Sequence, residues 1–140
     1  MQAHRLTDQL SVAAQIDAED IATIAAAGFR SIVNNRPDNE VPGQPDNAEL
    51  AAAAQQAGLG WRYLPVPSGQ FTEAQVREFA AALDELARPV LAFCRSGTRC
   101  SALWALQAAG SADDVLATAR TAGYDLSMLR SWLERSERAR

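Results

Sequence analysis

The sequence contains no lysine, one histidine and only two cysteines in 140 residues. Two cysteines cannot build the disulfide framework of a small secreted domain, so a reducing, cytoplasmic location is expected. Residues 1–8 lack the apolar core of a secretory signal, and no apolar run reaches the roughly 18 residues that span a bilayer. The net charge is −4, and the basic residues do not form a cluster along the sequence. We therefore expect neither nucleic acid nor a membrane as partner.

The chain also lacks any group of histidine, cysteine and carboxylate residues with metal-ligand spacing, so neither a metal nor another cofactor is expected. It contains no repeat, low-complexity tract or linker. A chain of this length can bury a core of its own. We predict one domain over residues 1–140, with residues 1–8 and 135–140 frayed.

Short apolar runs alternate with amphipathic stretches along the sequence. The runs predict strands over residues 10–13, 29–33, 61–66 and 90–93, the first of them at a sheet edge. Between and after them the pattern predicts helices, one of which starts with a capping box at Thr72 and Gln75. Strands that alternate with helices indicate an α/β fold, a central parallel sheet flanked by helices.

One segment, residues 89–106, joins a buried strand to a helix through a short loop with a glycine. The loop reads Cys94-Arg95-Ser96-Gly97-Thr98-Arg99, and the helical pattern begins at Cys100. This arrangement points backbone N–H groups and a helix N-terminus at one spot. A thiol there has a lowered pKa and acts as a nucleophile. Cys94 is therefore the predicted catalytic residue, without help from an imidazole because His4 lies near the N-terminus.

The other loop residues are predicted to bind the substrate. Arg99 holds the loop and binds the substrate anion, unless it is only a surface arginine at a helix start. Ser96, Gly97 and Thr98 contribute loop N–H groups. Arg95 adds its N–H group and a positive field, although its side chain is also consistent with simple solvation.

The sequence of this loop is very close to that of single-domain rhodaneses, which have Cys-Arg-Ser-Gly-x-Arg. In cysteine-dependent phosphatases five residues separate the cysteine from the arginine, whereas four do so here. The rest of the chain is unlike a rhodanese, because the pattern after residue 110 is helical throughout. The order of its segments resembles the dual-specificity phosphatase layout.

The chain resembles even more closely the bacterial beta-lactamase hydrolase-like, phosphatase-like domain family. The resemblance covers about residues 10–133, and its marks are Gln15, Gly28-Phe29, Asn34 to Asp38, Pro65-Val66, Cys94 to Arg99 and Gly123-Tyr124. It implies a protein tyrosine phosphatase-like fold with the active cysteine between a strand and a helix. Members occur alone or beside sulfide- and persulfide-metabolising domains, and they carry both phosphatase and sulfurtransferase labels. Such proteins are candidate partners.

Three positions depart from the phosphatase pattern. Phe93 stands where a histidine usually precedes the nucleophile, Ser68 lies near the place of the general-acid aspartate, and Cys100 replaces a hydroxyl residue. A phosphate monoester with a poor leaving group needs that acid, which is worth about 10²–10⁴ in rate. Transfer of sulfane sulfur needs it much less, because the leaving group is already a stable anion.

Three residues have alternative interpretations at this stage. Arg36 either clamps the sulfonate or phosphate end of a substrate or pairs with Asp38 or Glu40 and fixes its own loop. Cys100 is either a resolving thiol that protects Cys94 from overoxidation or an ordinary small residue of the helix. Asp38 is, by fold analogy, an accessory candidate for the missing acid.

Together these observations predict a sulfurtransferase that carries sulfane sulfur as a Cys94 persulfide. The donor would be a small anion, thiosulfate or a persulfide, and the acceptor a thiol. One alternative is a phosphatase that hydrolyses phosphomonoesters through a phosphocysteine. A second alternative is a catalytically degenerate module that binds anions or persulfides.

Overall fold

The apolar runs form the strands of a five-stranded sheet in the computed structural model of the chain, which describes residues 1–139. The strands are β1 (His4–Thr7), β2 (Leu10–Ala13), β3 (Ser31–Asn34), β4 (Gly60–Tyr63) and β5 (Val90–Phe93). Their order is β1-β2-β5-β3-β4, with β1 antiparallel to β2 and all other neighbours parallel. The predicted α/β fold with a central parallel sheet is confirmed.

Six helices and one 3-10 turn connect and follow the strands. They are α1 (Asp20–Ala26), α2 (Asn47–Gln56), α3 (Glu73–Glu85), α4 (Thr98–Gln107), α5 (Ala112–Thr121), the turn Ser127–Leu129 and α6 (Arg130–Ala139). The capping box predicted for α3 is present, since the Thr72 and Gln75 side chains each accept a hydrogen bond from the other residue's backbone N–H. None of the helices in residues 1–139 is long and apolar enough to cross a membrane.

Strand β5 is buried on both faces, which explains its continuous apolar sequence. Val90 and Ala92 pack in a core that includes residues of α3 to α6, whereas Leu91 and Phe93 pack in a second core with residues of α1 and α2. Because β5 lies between β2 and β3, the loop that follows it emerges in the middle of the sheet's carboxyl edge, where α/β folds bind ligands.

The prediction was wrong at the N-terminus. His4–Thr7 form β1 instead of fraying, and β2 is consequently not the edge strand. The Thr7 hydroxyl accepts hydrogen bonds from the N–H groups of Gln9 and Leu10, each at 3.1 Å, and so closes a tight hairpin. At the other end, α6 continues to Ala139, so residues 135–139 are helical as well. Arg140 lies outside the described residues.

Candidate active site

The register of the sheet brings the ends of three strands together beneath the Cys94 loop. Phe93, the last residue of β5, pairs with Ala13 on one side and with Asn34 on the other. Beyond the strand, the Cys94 N–H donates to the Ala13 carbonyl at 3.4 Å, and the Asn35 N–H donates to the Phe93 carbonyl at 2.9 Å. The base of the loop is therefore held by both neighbouring strands.

Gly97 makes the turn from the loop into α4 and has a left-handed backbone with φ of 94°. A Cβ at this position would overlap the hydroxyl of Tyr124, which packs over the loop and donates to the Ser96 carbonyl at 3.3 Å. The Ser101 hydroxyl in turn donates to the Gly97 carbonyl at 2.8 Å. Only glycine fits this position, for reasons of both backbone conformation and space.

The turn directs hydrogen-bond donors at the Cys94 sulfur. The Gly97 N–H lies 3.1 Å from Sγ. A hydrogen bond from the Cys100 side chain and the N–H groups of Cys100, Ser96 and Gly97 stabilise the thiolate, outweigh the opposing effect of burial, and lower the pKa of Cys94 to about 5. Cys94 is accordingly a thiolate at neutral pH, as the loop sequence predicts.

Cys100 is the third residue of α4 and is completely buried beside Cys94. Burial and the neighbouring Cys94 thiolate raise the pKa of Cys100 well above its usual value. It therefore remains a protonated thiol that can donate to Cys94. This donor role was missed by the two alternatives considered from the sequence.

Arg99 lies in the first turn of α4, and its guanidinium is fixed from two directions. Nη1 lies 2.7 Å and Nη2 2.8 Å from the two carboxylate oxygens of Glu40, and Nη1 also donates to the Val66 carbonyl at 3.1 Å. Its side chain is only 9% exposed. Arg99 is thus a buried, bidentate partner of Glu40 and not a surface arginine at a helix start.

Arg36 is held by the same carboxylate. Its Nε donates to Glu40 at 2.8 Å, and its Nη1 donates to the Gln15 side chain at 3.0 Å. Of the two interpretations of Arg36, these contacts match the pairing with Glu40. The two arginines hold the pKa of Glu40 at about 2, with the Arg99 hydrogen bond as the largest cause, so the carboxylate is ionised.

A cleft of about 270 Å³ opens on the outer side of the loop. Its lining residues are Ser68, Gly69, Phe71, Arg95, Ser96, Thr98, Arg99 and Met128. None of these is a carboxylic acid or a histidine. Cys94 has no exposed surface and is not itself among the lining residues, although its loop neighbours Arg95 and Ser96 are. Within residues 1–139, no three metal-ligating side chains are grouped together.

Of the residues predicted to bind substrate, Arg95, Ser96 and Thr98 line this cleft beside Arg99, whereas Gly97 and Arg36 do not. Asp38, the accessory candidate, is not among its lining either. The Asp38 carboxylate accepts the N–H of Asn47 at 2.8 Å and caps the start of α2. Its own N–H donates to the Tyr63 hydroxyl at 3.0 Å. These contacts describe a structural residue of the loop between β3 and α2.

The sequence interpretation missed two contributors to the site. The role of Glu40 as a bridge between Arg36 and Arg99 was not foreseen, although an ion pair between Arg36 and Glu40 was one of the alternatives considered for Arg36. Tyr124 was noted only as a mark of family resemblance. Its contact with Gly97 joins the segment after α5 to the loop, and nothing in the local sequence signals that contact.

Comparison with known proteins agrees with this architecture. Residues 3–112 match the family model of the beta-lactamase hydrolase-like protein, phosphatase-like domain. A beta-lactamase hydrolase-like protein of Agrobacterium fabrum is 38% identical over 99% of this chain. The match covers 33% of that relative, so the chain spans about a third of its length.

Solved structures share the fold. A candidate phosphatase from Neisseria meningitidis Z2491 is 33% identical, has a TM-score of 0.85, and is matched over 94% of this chain and 96% of its own. The structure of Tk-PTP in its active form has a TM-score of 0.71 at 15% identity, over 99% of this chain and 97% of its own, and supports the fold alone. The chain belongs to the phosphatase-like domain family of the beta-lactamase hydrolase-like proteins.

Proposed function

We propose that Cys94 is a nucleophile that accepts sulfane sulfur from a small anionic donor and passes it to a thiol. The observation that supports this most is the combination of a stabilised thiolate with a cleft whose lining contains no acid. Expulsion of an alkoxide from a phosphate ester needs a proton donor at that position. Expulsion of sulfite or a thiolate does not, because both are stable anions near neutral pH.

The transfer consists of two displacements at sulfur. The Cys94 thiolate attacks the outer sulfur of thiosulfate, an S–S bond forms as the original S–S bond breaks, and sulfite leaves with the bonding electron pair. With a persulfide donor the leaving group is the donor's thiolate. An acceptor thiolate then attacks the terminal sulfur of the Cys94 persulfide, which returns Cys94 as a thiolate and needs no external oxidant or reductant.

The loop supplies the positive field for these steps. The N–H groups of Ser96, Gly97 and Cys100 stabilise the Cys94 thiolate as reactant and as leaving group. Arg99 lies at the cleft and offers a cation for the donor's anionic end. Sulfide- and persulfide-metabolising proteins remain the proposed partners.

Intact mass after incubation with thiosulfate or glutathione persulfide tests the proposal. We expect a gain of one sulfur atom that dithiothreitol removes, that disappears in Cys94→Ala, and that remains in Cys100→Ser. No adduct on the parent protein, or an adduct that persists in Cys94→Ala, would contradict it.

The second candidate is phosphomonoester hydrolysis through a phosphocysteine. It is favoured by the family's phosphatase-like description and by the Neisseria structure, which is named as a candidate phosphatase. The comparisons support this candidate more directly than they support sulfur transfer. Turnover of nitrophenyl phosphate or phosphotyrosine that Cys94→Ser abolishes, without a sulfur adduct, would establish it instead. If neither a sulfur adduct nor phosphate ester turnover is observed and anions raise the thermal unfolding midpoint, the domain would be a binding module.

A further inference from the structure

Glu40 is the point at which the two buried arginines of the site meet. Its carboxylate contacts Nη1 and Nη2 of Arg99 at 2.7 and 2.8 Å and Nε of Arg36 at 2.8 Å. Its side chain is 23% exposed, whereas those of the arginines are 9% and 5% exposed. The carboxylate of Glu40 therefore lies at the protein surface and is held by short charge-assisted bonds from two buried guanidinium groups.

These contacts occupy one edge of the Arg99 guanidinium and leave another edge open. A guanidinium has five N–H donors in a plane. Glu40 takes one hydrogen from each Nη atom, and the Val66 carbonyl takes the second hydrogen of Nη1. In the part of the chain that the structure describes, no acceptor contacts Nε or the remaining Nη2 hydrogen. This Nε–Nη2 edge has the fork geometry that binds two oxygens of an anion, and Arg99 lines the cleft.

Glu40 also sets the charge of the site. The positive charges of Arg36 and Arg99 are matched by the negative charges of Glu40 and the Cys94 thiolate, so the four formal charges cancel. The low pKa of Glu40 keeps its carboxylate ionised throughout the neutral range. Arg95, at the exposed rim of the cleft, is the lining arginine without a carboxylate partner among the described residues.

We propose that Glu40 is a positioning residue that determines charge specificity at the Cys94 site. It fixes Arg99 so that the Nε–Nη2 edge receives the substrate anion, and it cancels one arginine charge so that the site does not favour a dianion over a monoanion. This inference rests on the proposed function of the cleft as a donor site. It points to a singly charged sulfur donor, such as a thiosulfonate, in preference to thiosulfate or a phosphate monoester dianion.

Binding of two unreactive anions tests the proposal without any transfer chemistry. Sulfate and methanesulfonate are similar in size and differ by one negative charge, and their affinities follow from the concentration dependence of the thermal unfolding midpoint. We expect the parent protein to bind the two with affinities within about twofold of each other, because the charges of Arg36, Arg99, Glu40 and Cys94 cancel and the charge of the exposed Arg95 is screened by solvent and salt. In Glu40→Gln we expect the affinity ratio to move toward sulfate by about five- to tenfold, the effect of one charge at about 7 Å and an effective dielectric of about 40.

Two further variants separate charge from structure. Glu78→Gln removes the same charge from an exposed position of α3 and should leave the ratio unchanged. Glu40→Asp keeps the negative charge but has a shorter side chain. It should therefore reduce the affinity for both anions and leave the ratio of the two affinities unchanged. Equal weakening of both anions in Glu40→Gln would overturn the proposal even if Cys94 acquires sulfur.

A parent protein that binds sulfate about tenfold more tightly than methanesulfonate would also overturn it, whether or not Glu40→Gln folds. Neither sulfate nor methanesulfonate donates sulfur, so the binding experiment can be interpreted even if the protein does not transfer sulfur. In an active protein, Glu40→Gln should also lower the KM for thiosulfate relative to that for methanethiosulfonate by the same factor, with kcat reduced for both donors.

Discussion

The Cys100 thiol donates a hydrogen bond to the Cys94 sulfur, and this bond is the largest cause of the low pKa of Cys94. Cys94 and Cys100 therefore have different protonation states at neutral pH: Cys94 is a thiolate, and the protonated Cys100 thiol stabilises it by a hydrogen bond. The field that makes the nucleophile is supplied by neutral donors, namely this thiol and three backbone N–H groups. No imidazole takes part in this stabilisation.

Replacing Cys100 should therefore raise the pKa of Cys94. A hydrogen bond to a charged group contributes about 1.5–3 kcal/mol, and one pKa unit corresponds to about 1.4 kcal/mol, so Cys100→Ala should raise the pKa by about one to two units. Cys100→Ser retains a donor and should raise it less. The ultraviolet absorbance of the thiolate measures the shift, and an unchanged pKa in Cys100→Ala would remove Cys100 from the account.

The pH dependence of stability should depend on Cys94. The folded thiol has a pKa of about 5 against 9.0 in the unfolded chain, so between these values the unfolded state binds more protons. The free energy of unfolding should accordingly rise from pH 5 to pH 9. The stabilisation that ionised Cys94 contributes is complete above pH 9 and is lost as the pH falls to 5. Cys100, whose pKa is raised, opposes any further rise above pH 9.

Urea unfolding of the parent protein and of Cys94→Ala at several pH values measures this contribution. We expect the slope in this interval to be smaller in the variant. Parallel curves would show that Cys94 has the same proton affinity in the folded and unfolded states.

Gly97→Ala should destabilise the fold more than a comparable glycine substitution elsewhere. Gly97 combines a left-handed φ with the overlap of a Cβ and the Tyr124 hydroxyl, whereas Gly58 has φ of 77° and open space around its Cα. The backbone strain costs about 1–3 kcal/mol at either site, and the overlap adds to it only at Gly97. Thermal unfolding of Gly97→Ala and Gly58→Ala makes the comparison, and equal losses would argue against tight Tyr124 packing on the loop.

Loss of the Arg99 side chain should cost more stability than loss of an exposed arginine. Arg99→Met removes a buried guanidinium but leaves the Glu40 carboxylate at the surface with Arg36 as its partner, so its cost should lie between that of a surface ion pair and the about 3–5 kcal/mol of a broken buried pair. The matched control is Arg62→Met. Arg62 forms an ion pair with Glu85, their side chains are 35% and 60% exposed, and such a surface pair contributes about 0–1 kcal/mol. Denaturant unfolding measures both, and similar costs would mean that the Arg99–Glu40 pair behaves as a surface ion pair.

The sequence predicts those features whose physical cause is local. The run Val90–Phe93 is apolar at every position because the strand is buried on both faces, and the loop after it contains its own glycine turn and arginines. The hairpin at His4–Thr7 escaped prediction because only Leu6 of that strand is buried, so the apolar pattern is a single residue. Its turn depends on the Thr7 side chain rather than on glycine or proline.

The arrangement of the site was less predictable for the same reason. Glu40 and Arg99 are 59 residues apart, and their pairing follows from the side-by-side ends of β3 and β5. Tyr124 donates a hydrogen bond to Ser96 across 28 residues of sequence that contain helices α4 and α5. Motif and spacing identify the nucleophile, whereas the groups that orient its arginine become visible only in the folded chain.

Titration of the Cys94 thiol is the most direct test of the central claim. The difference in thiolate ultraviolet absorbance between the parent protein and Cys94→Ser, recorded as a function of pH, reports ionisation of this sulfur even though it is buried. The account predicts a midpoint at about 5. A midpoint near the ordinary cysteine value of 9.0 would contradict it, because the loop would then hold a thiol and no nucleophile at neutral pH.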